Sequence, residues 1–345
     1  MKILFTGNYD TEYNRTLILK SGLESKNIEY FELPIQNDFD LWQQTLHDVI
    51  DDIDVVFIPP FAHRTVKLIK KNVNKKIIFD PLVSRFMSKV YDFKKYPPYS
   101  PRAIKHFIYD QIAFKNSDIV LTDTESHLNY FHKTFRIPYE KFRVLHIGVD
   151  TEAFYPKSKP KNSHFKIGFY GSFLPLQGVP AIIKAAKILS KHEDIVFELV
   201  GSGWRLAEAK AMVKDYGITN VKFLGWLDYN KLNDKINEFD VCLGIFGDSV
   251  KADIVVPNKA YHYSACKKCM ITKETTGIKE IFTDEKDAIL TNGTYEDLAD
   301  KLLYLYNNDN KRNEIACNAY DNITSNYNQK SVADRFISII NDLIQ

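Results

Sequence analysis

Short apolar runs ending at a small or turn-forming residue alternate with stretches of helical periodicity along almost the whole chain, and no other feature limits the fold as much. Strands are expected at 2–6, 28–33, 55–58, 76–80, 119–122 and 143–146, with helices at 14–26 and 40–51 between the first of them. Runs such as Val55-Val56-Phe57-Ile58 are apolar without alternation, which suits strands covered on both faces, so the pattern predicts a parallel sheet between helical layers. A polar run, 157–163, interrupts the series and reads as an interdomain linker. The alternation then restarts: strands at 166–170, 195–200, 221–224, 241–246, 268–272 and 288–290, a helix at 179–191, and two or three helices over 295–345. At 345 residues, 45% of them apolar, the chain suits two α/β domains rather than one small core.

Charge and cysteine usage narrow the functional classes. Residues 1–63 carry four Lys and Arg against eleven Asp and Glu, whereas residues 64–115 carry thirteen against three. Such a reversal points to an anionic partner, and Tyr91, Tyr96 and Tyr99 among the cations suit a lipid interface. A loop whose rings pack down while its lysines stay solvated is the alternative. No nucleic-acid motif matches the block, so nucleic acid is not an expected partner. Neither a signal peptide nor a membrane-length apolar run is apparent, and a cytosolic protein is expected, with peripheral contact at the inner membrane face. Cys266-Lys267-Lys268-Cys269 has the spacing of half a zinc site but lacks a second pair, and reads as two thiols at a helix-to-strand junction.

Chemistry is concentrated at strand ends. Gly7 closes the first strand, Gly171 to Gly178 follow the first strand of the second series, and Gly201-Ser202-Gly203 follow the next; glycines there let a backbone approach phosphate, or serve only as turns. Pro257 reads as a helix start, with Asn258 and Lys259 in the first turn. A lysine there opposes the helix dipole, and a bound phosphate would make sense of it; an ordinary surface lysine is the alternative. Asp80, at a strand's carboxyl end before Pro81, is either a cleft carboxylate or an Asx turn.

The residues Gly148-Val149-Asp150-Thr151 through Pro156, Gly171 to Gly178, Gly201-Ser202-Gly203, 221–226, Phe239-Asp240-Val241 and Lys279-Glu280-Ile281 together resemble the family 4 retaining glycosyltransferases. The resemblance covers nearly all of the second domain and the end of the first. It implies a GT-B fold, an α/β architecture of two Rossmann-like domains facing each other across a cleft. The acceptor-side domain would span 1–156 and the nucleotide-sugar domain 157–330, with a last helix, 331–345, crossing back onto the first. In the family the first glycine loop carries an Arg and a Lys on the donor diphosphate; the matching positions here are Ser172 and Gln177, both uncharged. The second glutamate of the family's paired-glutamate motif falls on His262, and no first glutamate is found near Ile254. The segment Asp248, Ser249, Lys251, Pro257, Asn258, Lys259 resembles instead a Pro-Asn-Lys variant, in which the helix-start lysine recognises phosphate.

The implied donor site is therefore Gly7, Gly171, Ser172, Gly201, Gly203, Asp248, Ser249, Lys251, Pro257, Asn258, Lys259, His262 and Glu280. Lys259 and Asp80 are the catalytic candidates, and Tyr91, Arg102 and Lys105 the acceptor candidates. Retaining transfer passes through an oxocarbenium-like state while a diphosphate departs, so cations are needed on the phosphates and a carboxylate or carbonyl near the sugar. No cofactor and no essential metal are expected. The function so implied is hexosyl transfer from a nucleotide-sugar to a surface-glycan or lipid-linked acceptor. A catalytically silent GT-B protein that binds a nucleotide-sugar or an active partner, and a nucleotide-sugar epimerase, are the alternatives.

Overall fold

The computed structural model describes residues 1–35, 38–158 and 164–345, so most of the expected linker, 159–163, lies outside the described residues. The chain forms two compact units, Met1–Gly148 with Gln329–Gln345, and Val149–Asn328. The first holds β1 (Lys2–Gly7), β2 (Glu29–Pro34), β3 (Val55–Ile58), β4 (Lys76–Phe79), β5 (Ile119–Thr122) and β6 (Phe142–Val144), all parallel in the order β2-β1-β3-β4-β5-β6. Parallel neighbours need crossovers, and intervening helices such as Asn14–Ser25, Phe39–Val49 and Pro101–Asn116 supply them. Successive strand residues face opposite sides, so Val56 and Ile58 enter one core with Phe79, Phe114 and Phe131, while Val55 and Phe57 enter another with Phe5 and Phe336.

The last helix, Gln329–Ile344, belongs to this first unit. Its stripe Val332, Ala333, Phe336, Ile339 and Ile340 joins the second of those cores. A Cβ on Gly22 would lie 2.1 Å from the Gln329 carbonyl oxygen, so only glycine lets the helix Asn14–Ser25 come so close to the last one.

The second unit repeats the plan with β7 (Phe165–Tyr170), β8 (Ile195–Val200), β9 (Val221–Gly225), β10 (Val241–Leu243), β11 (Cys269–Lys273) and β12 (Ile289–Thr291), parallel in the order β12-β11-β10-β7-β8-β9. Strand order reverses between β7 and β10, and open parallel sheets bind ligands outside the carboxyl ends at such a point. The segment 149–158 belongs to this unit: Val149 N donates to Tyr327 O at 2.9 Å, and Asn237 Nδ2 donates to Tyr155 O at 3.0 Å. For that reason the units divide at Gly148 and not at 156.

Strand β10 stops at Leu243, short of the expected 246. Beyond it Gly244 N still donates to Ile271 O at 2.8 Å and Lys273 N to Ile245 O at 3.0 Å, but Ile245 N turns to Thr272 Oγ1 and Phe246 N to Gln177 O, both at 3.1 Å, so the chain leaves the ladder only after Ile245. A short helix, Val250–Ile254, was not anticipated; Ser249 caps it, its Oγ accepting from Ala252 N at 3.2 Å. Cys266 caps the helix Asn258–Ala265 and Cys269 opens β11, both thiols buried and unbridged. Among the described residues no helix is long and apolar enough to cross a membrane.

Candidate functional site

Three loops meet at the strand-order reversal of the second unit. Gly171 follows β7 and Gly201 follows β8, with φ of +150° and +129°. A Cβ on Gly201 would fall 2.0 Å from the Gly171 carbonyl oxygen, so the two loops touch backbone to backbone. Phe173 N donates to Ser202 O at 2.9 Å and Gly247 N to Leu176 O at 3.1 Å, which ties the first glycine loop to the chain leaving β10.

Lys259 rises into this junction from the second position of the helix Asn258–Ala265, whose N-cap is Pro257. The side chain is 3% exposed, and its Nζ donates to Gln177 Oε1 and sits 3.7 Å from the centroid of the Phe169 ring. It also lies 3.1 Å from where a Cβ on Gly171 would be. Among the described residues no carboxylate stands within ion-pair distance of it. Burial accordingly drives its pKa well below the ordinary lysine value.

The structure thus brings Gly171, Gly201, Gly203 and Lys259 together, with Ser172 half-buried in the first loop and Asn258 half-buried at the helix start. Gln177, read from sequence only as a missing charge, is the partner of Lys259. His262, one helical turn on, is enclosed: its Nδ1 is 2.6 Å from the Tyr170 hydroxyl, its ring stacks on Phe154 at 3.8 Å, and burial pushes its pKa down to about 3. Asp248 is exposed and pairs with Lys273. Lys251 is half-buried on the helix Val250–Ile254, and Glu280 is half-buried at the end of the turn Ile278–Glu280.

In the first unit, Asp80 is buried beyond β4 and bound to Arg15 Nε, while its Oδ1 accepts from Leu82 N at 2.9 Å as an Asx turn. Arg15 also donates to Leu145 O at 2.9 Å. Sequence reading passed over Arg15, yet it carried the signal used for Lys259: a cation in the first turn of a helix, against the dipole. Gly7 ends β1 with φ of +129°.

The basic block lays its cations over rings. Arg102 lies 5.7 Å from the Tyr96 ring, Lys105 5.8 Å from Tyr109 and Lys89 5.0 Å from Phe93. Arg102 and Lys105 are exposed on the helix Pro101–Asn116 beside Ile104 and Ile108, which are 47% and 45% exposed. Tyr91 stands edge-on to Phe86 at 5.6 Å. Beneath them the buried Asp110 carboxylate accepts from Ser84 Oγ at 2.6 Å and Phe86 N at 2.8 Å, holding the aromatic segment to the helix. Desolvation pushes the Asp110 carboxyl up to about 7.

A family model described as glycosyl transferase-like matches residues 181–338. An uncharacterized glycosyltransferase of Methanocaldococcus jannaschii is 23% identical over 254 residues, 69% of this chain and 63% of that protein. The phosphatidylinositol N-acetylglucosaminyltransferase GPI3 subunit of Saccharomyces cerevisiae is 22% identical over 209 residues, 58% of this chain. The chain aligns with 45% of that subunit's length, so it spans about half to two thirds of these curated relatives. Among solved structures, Anabaena HepE in complex with UDP-glucose superposes with a TM-score of 0.74 at 15% identity, covering 99% of this chain and 100% of that one. The chain thus has the GT-B fold, and its match to the glycosyl transferase-like model supports a GT-B glycosyltransferase.

Proposed function

We propose that the protein transfers a hexosyl group from a nucleotide-sugar, with retention, to a surface-glycan or lipid-linked acceptor presented at an anionic membrane. The observation that carries this reading is the buried Lys259 amine, which lies against the Gly171 loop with no counter-charge among the described residues. An ammonium so placed is costly in the free protein and becomes favourable once a diphosphate supplies the missing charge. The complex of HepE with UDP-glucose, a relative in fold, supports a nucleotide-sugar as the donor. Lys251 serves as the second cation. Asp80, oriented by Arg15, is the carboxylate on the acceptor side. The exposed cations and Ile104 and Ile108 of the helix Pro101–Asn116 meet the membrane, and the phosphatidylinositol in the yeast relative's name agrees with a lipid acceptor.

A thermal-shift screen of nucleotide-sugars comes first, because a ligand held at about 100 times its Kd adds roughly 2.7 kcal/mol to stability. Slow hydrolysis of the hits, with the anomer of the released sugar read by NMR, then tests the chemistry. A retained anomer supports the proposal and an inverted one overturns retention. Binding without turnover would instead favour a silent donor-binding protein, a reading motivated by the uncharged Ser172 and Gln177. An altered sugar on an intact nucleotide would indicate an epimerase.

A further inference from the structure

The partner of Lys259 is as informative as the lysine. Gln177 is only 9% exposed, and its Oε1 is the one hydrogen-bond acceptor paired with Nζ among the described residues. Among the described residues the other groups facing the amine are the rings of Phe169 and Tyr170, at 3.7 and 5.9 Å, and the Gly171 backbone. None of the titratable neighbours supplies negative charge near neutral pH. Burial raises Tyr170 and Tyr263 well above the ordinary tyrosine value; Tyr263 O–H donates to Leu243 O at 3.2 Å. His262, bonded to the Tyr170 hydroxyl, is pushed down to about 3 and stays neutral. A second lysine at 177 would set two ammonium groups at hydrogen-bond distance in a desolvated pocket, so a neutral residue there follows from the presence of Lys259.

We propose that Gln177 is a positioning residue that holds the Lys259 amine beneath the Gly171 loop in the free protein and yields it to the donor diphosphate, so that donor binding draws a proton from solvent onto that amine. The proposal rests on the donor reading above. An amide can hold an amine in either protonation state, because its oxygen accepts from both, whereas a diphosphate strongly favours the ammonium. The lysine's depressed pKa in the free protein supports the direction of proton flow. A carboxylate at 177 would end the exchange by supplying a permanent counter-ion.

The test measures binding of pyrophosphate, UDP, GDP and ADP by calorimetry in buffers of different ionisation enthalpy between pH 7 and 9, for wild type, Gln177→Ala, Gln177→Glu and Lys259→Met. Wild type is expected to take up protons on binding. Gln177→Ala is expected to bind within about threefold of wild type or tighter, since the amide competes with the ligand, and Gln177→Glu at least about tenfold weaker, the scale of one charge-assisted hydrogen bond. Gln177→Glu should also melt higher than wild type, which separates it from a misfolded variant. Equal losses in Gln177→Ala and Gln177→Glu, or binding without proton uptake, would overturn the exchange while leaving the donor site in place. Wild-type-like binding by Lys259→Met, or no binding of any probe by wild type, would overturn the donor reading itself.

Discussion

The buried ion pair between Arg15 and Asp80 offers the sharpest test of how the first unit is held together. It joins the helix Asn14–Ser25 to the end of β4, and through Leu145 O to the chain beyond β6, so three elements depend on it. Removing one partner of such a pair costs about 3–5 kcal/mol, because a charge is left buried and uncompensated. The two single variants should not cost the same. Arg15 cannot shed its proton, so Asp80→Asn is expected to cost about 3–5 kcal/mol, whereas in Arg15→Met the stranded carboxyl can protonate, which limits the loss to roughly 2–3 kcal/mol. The double variant, with no buried charge, should lose less than about 2 kcal/mol, giving a coupling energy of about 3 kcal/mol or more. Trp42 reports on this unit alone: it is 2% exposed, donates to Thr6 Oγ1 at 2.9 Å, and the other tryptophans, Trp204 and Trp226, lie in the second unit at 59% and 67% exposure. With those two changed to Phe, urea titrations followed by Trp42 fluorescence give each free energy. A loss below about 1 kcal/mol in Asp80→Asn, or a double variant as costly as the sum of the singles, would refute the argument, because the pair would then be behaving as a solvated surface contact.

Lys259→Ala is expected to lower turnover by about two to three orders of magnitude, and Lys251→Ala to weaken donor binding less, as steady-state rates on the identified nucleotide-sugar will measure. Each cation near an anionic surface contributes about 1 kcal/mol, so changing Lys89, Lys94 and Lys95 to Glu should abolish cosedimentation with anionic liposomes at low salt; equal sedimentation of variant and wild type would remove the membrane from the acceptor model. Asp110 has its pKa raised to about 7, so the folded state binds more protons than the unfolded state between pH 3.8 and 7. Its contribution to stability is greatest below pH 3.8 and is lost as pH rises through about 7, with a slope of at most about 1.4 kcal/mol per pH unit. Relative to Asp110→Asn, wild type should therefore lose stability in the Trp42 transition between pH 5 and 7.5; His63, which faces Asp110 at 3.6 Å and is pushed down to about 3, contributes in the opposite sense below pH 6.5, and the comparison between variants separates the two.

The linear sequence was enough to determine the two parallel sheets, because a strand covered on both faces and a helix with one apolar stripe each leave a local periodic signature that no distant contact needs to complete. It also placed the glycines at strand ends and singled out Lys259, since a cation in a first helical turn is locally unfavourable and demands a reason. Arg15 met the same criterion and was missed because its reason, Asp80, lies 65 residues away. The pairing of Lys259 with Gln177, across 82 residues, was equally out of reach: the sequence showed an uncharged residue where a cation was expected, and only the packing of the helix against the first glycine loop showed that a cation already occupied that space. Tertiary structure likewise ended β10 at Leu243, sent Ile245 N to the Thr272 hydroxyl and Phe246 N to Gln177 O, and enclosed His262 between Phe154 and Tyr170. Periodicity is a property of neighbours along the chain, whereas charge compensation and burial are properties of neighbours in space. The sheets were therefore legible in the sequence, and the partners that set the chemistry of the site were not.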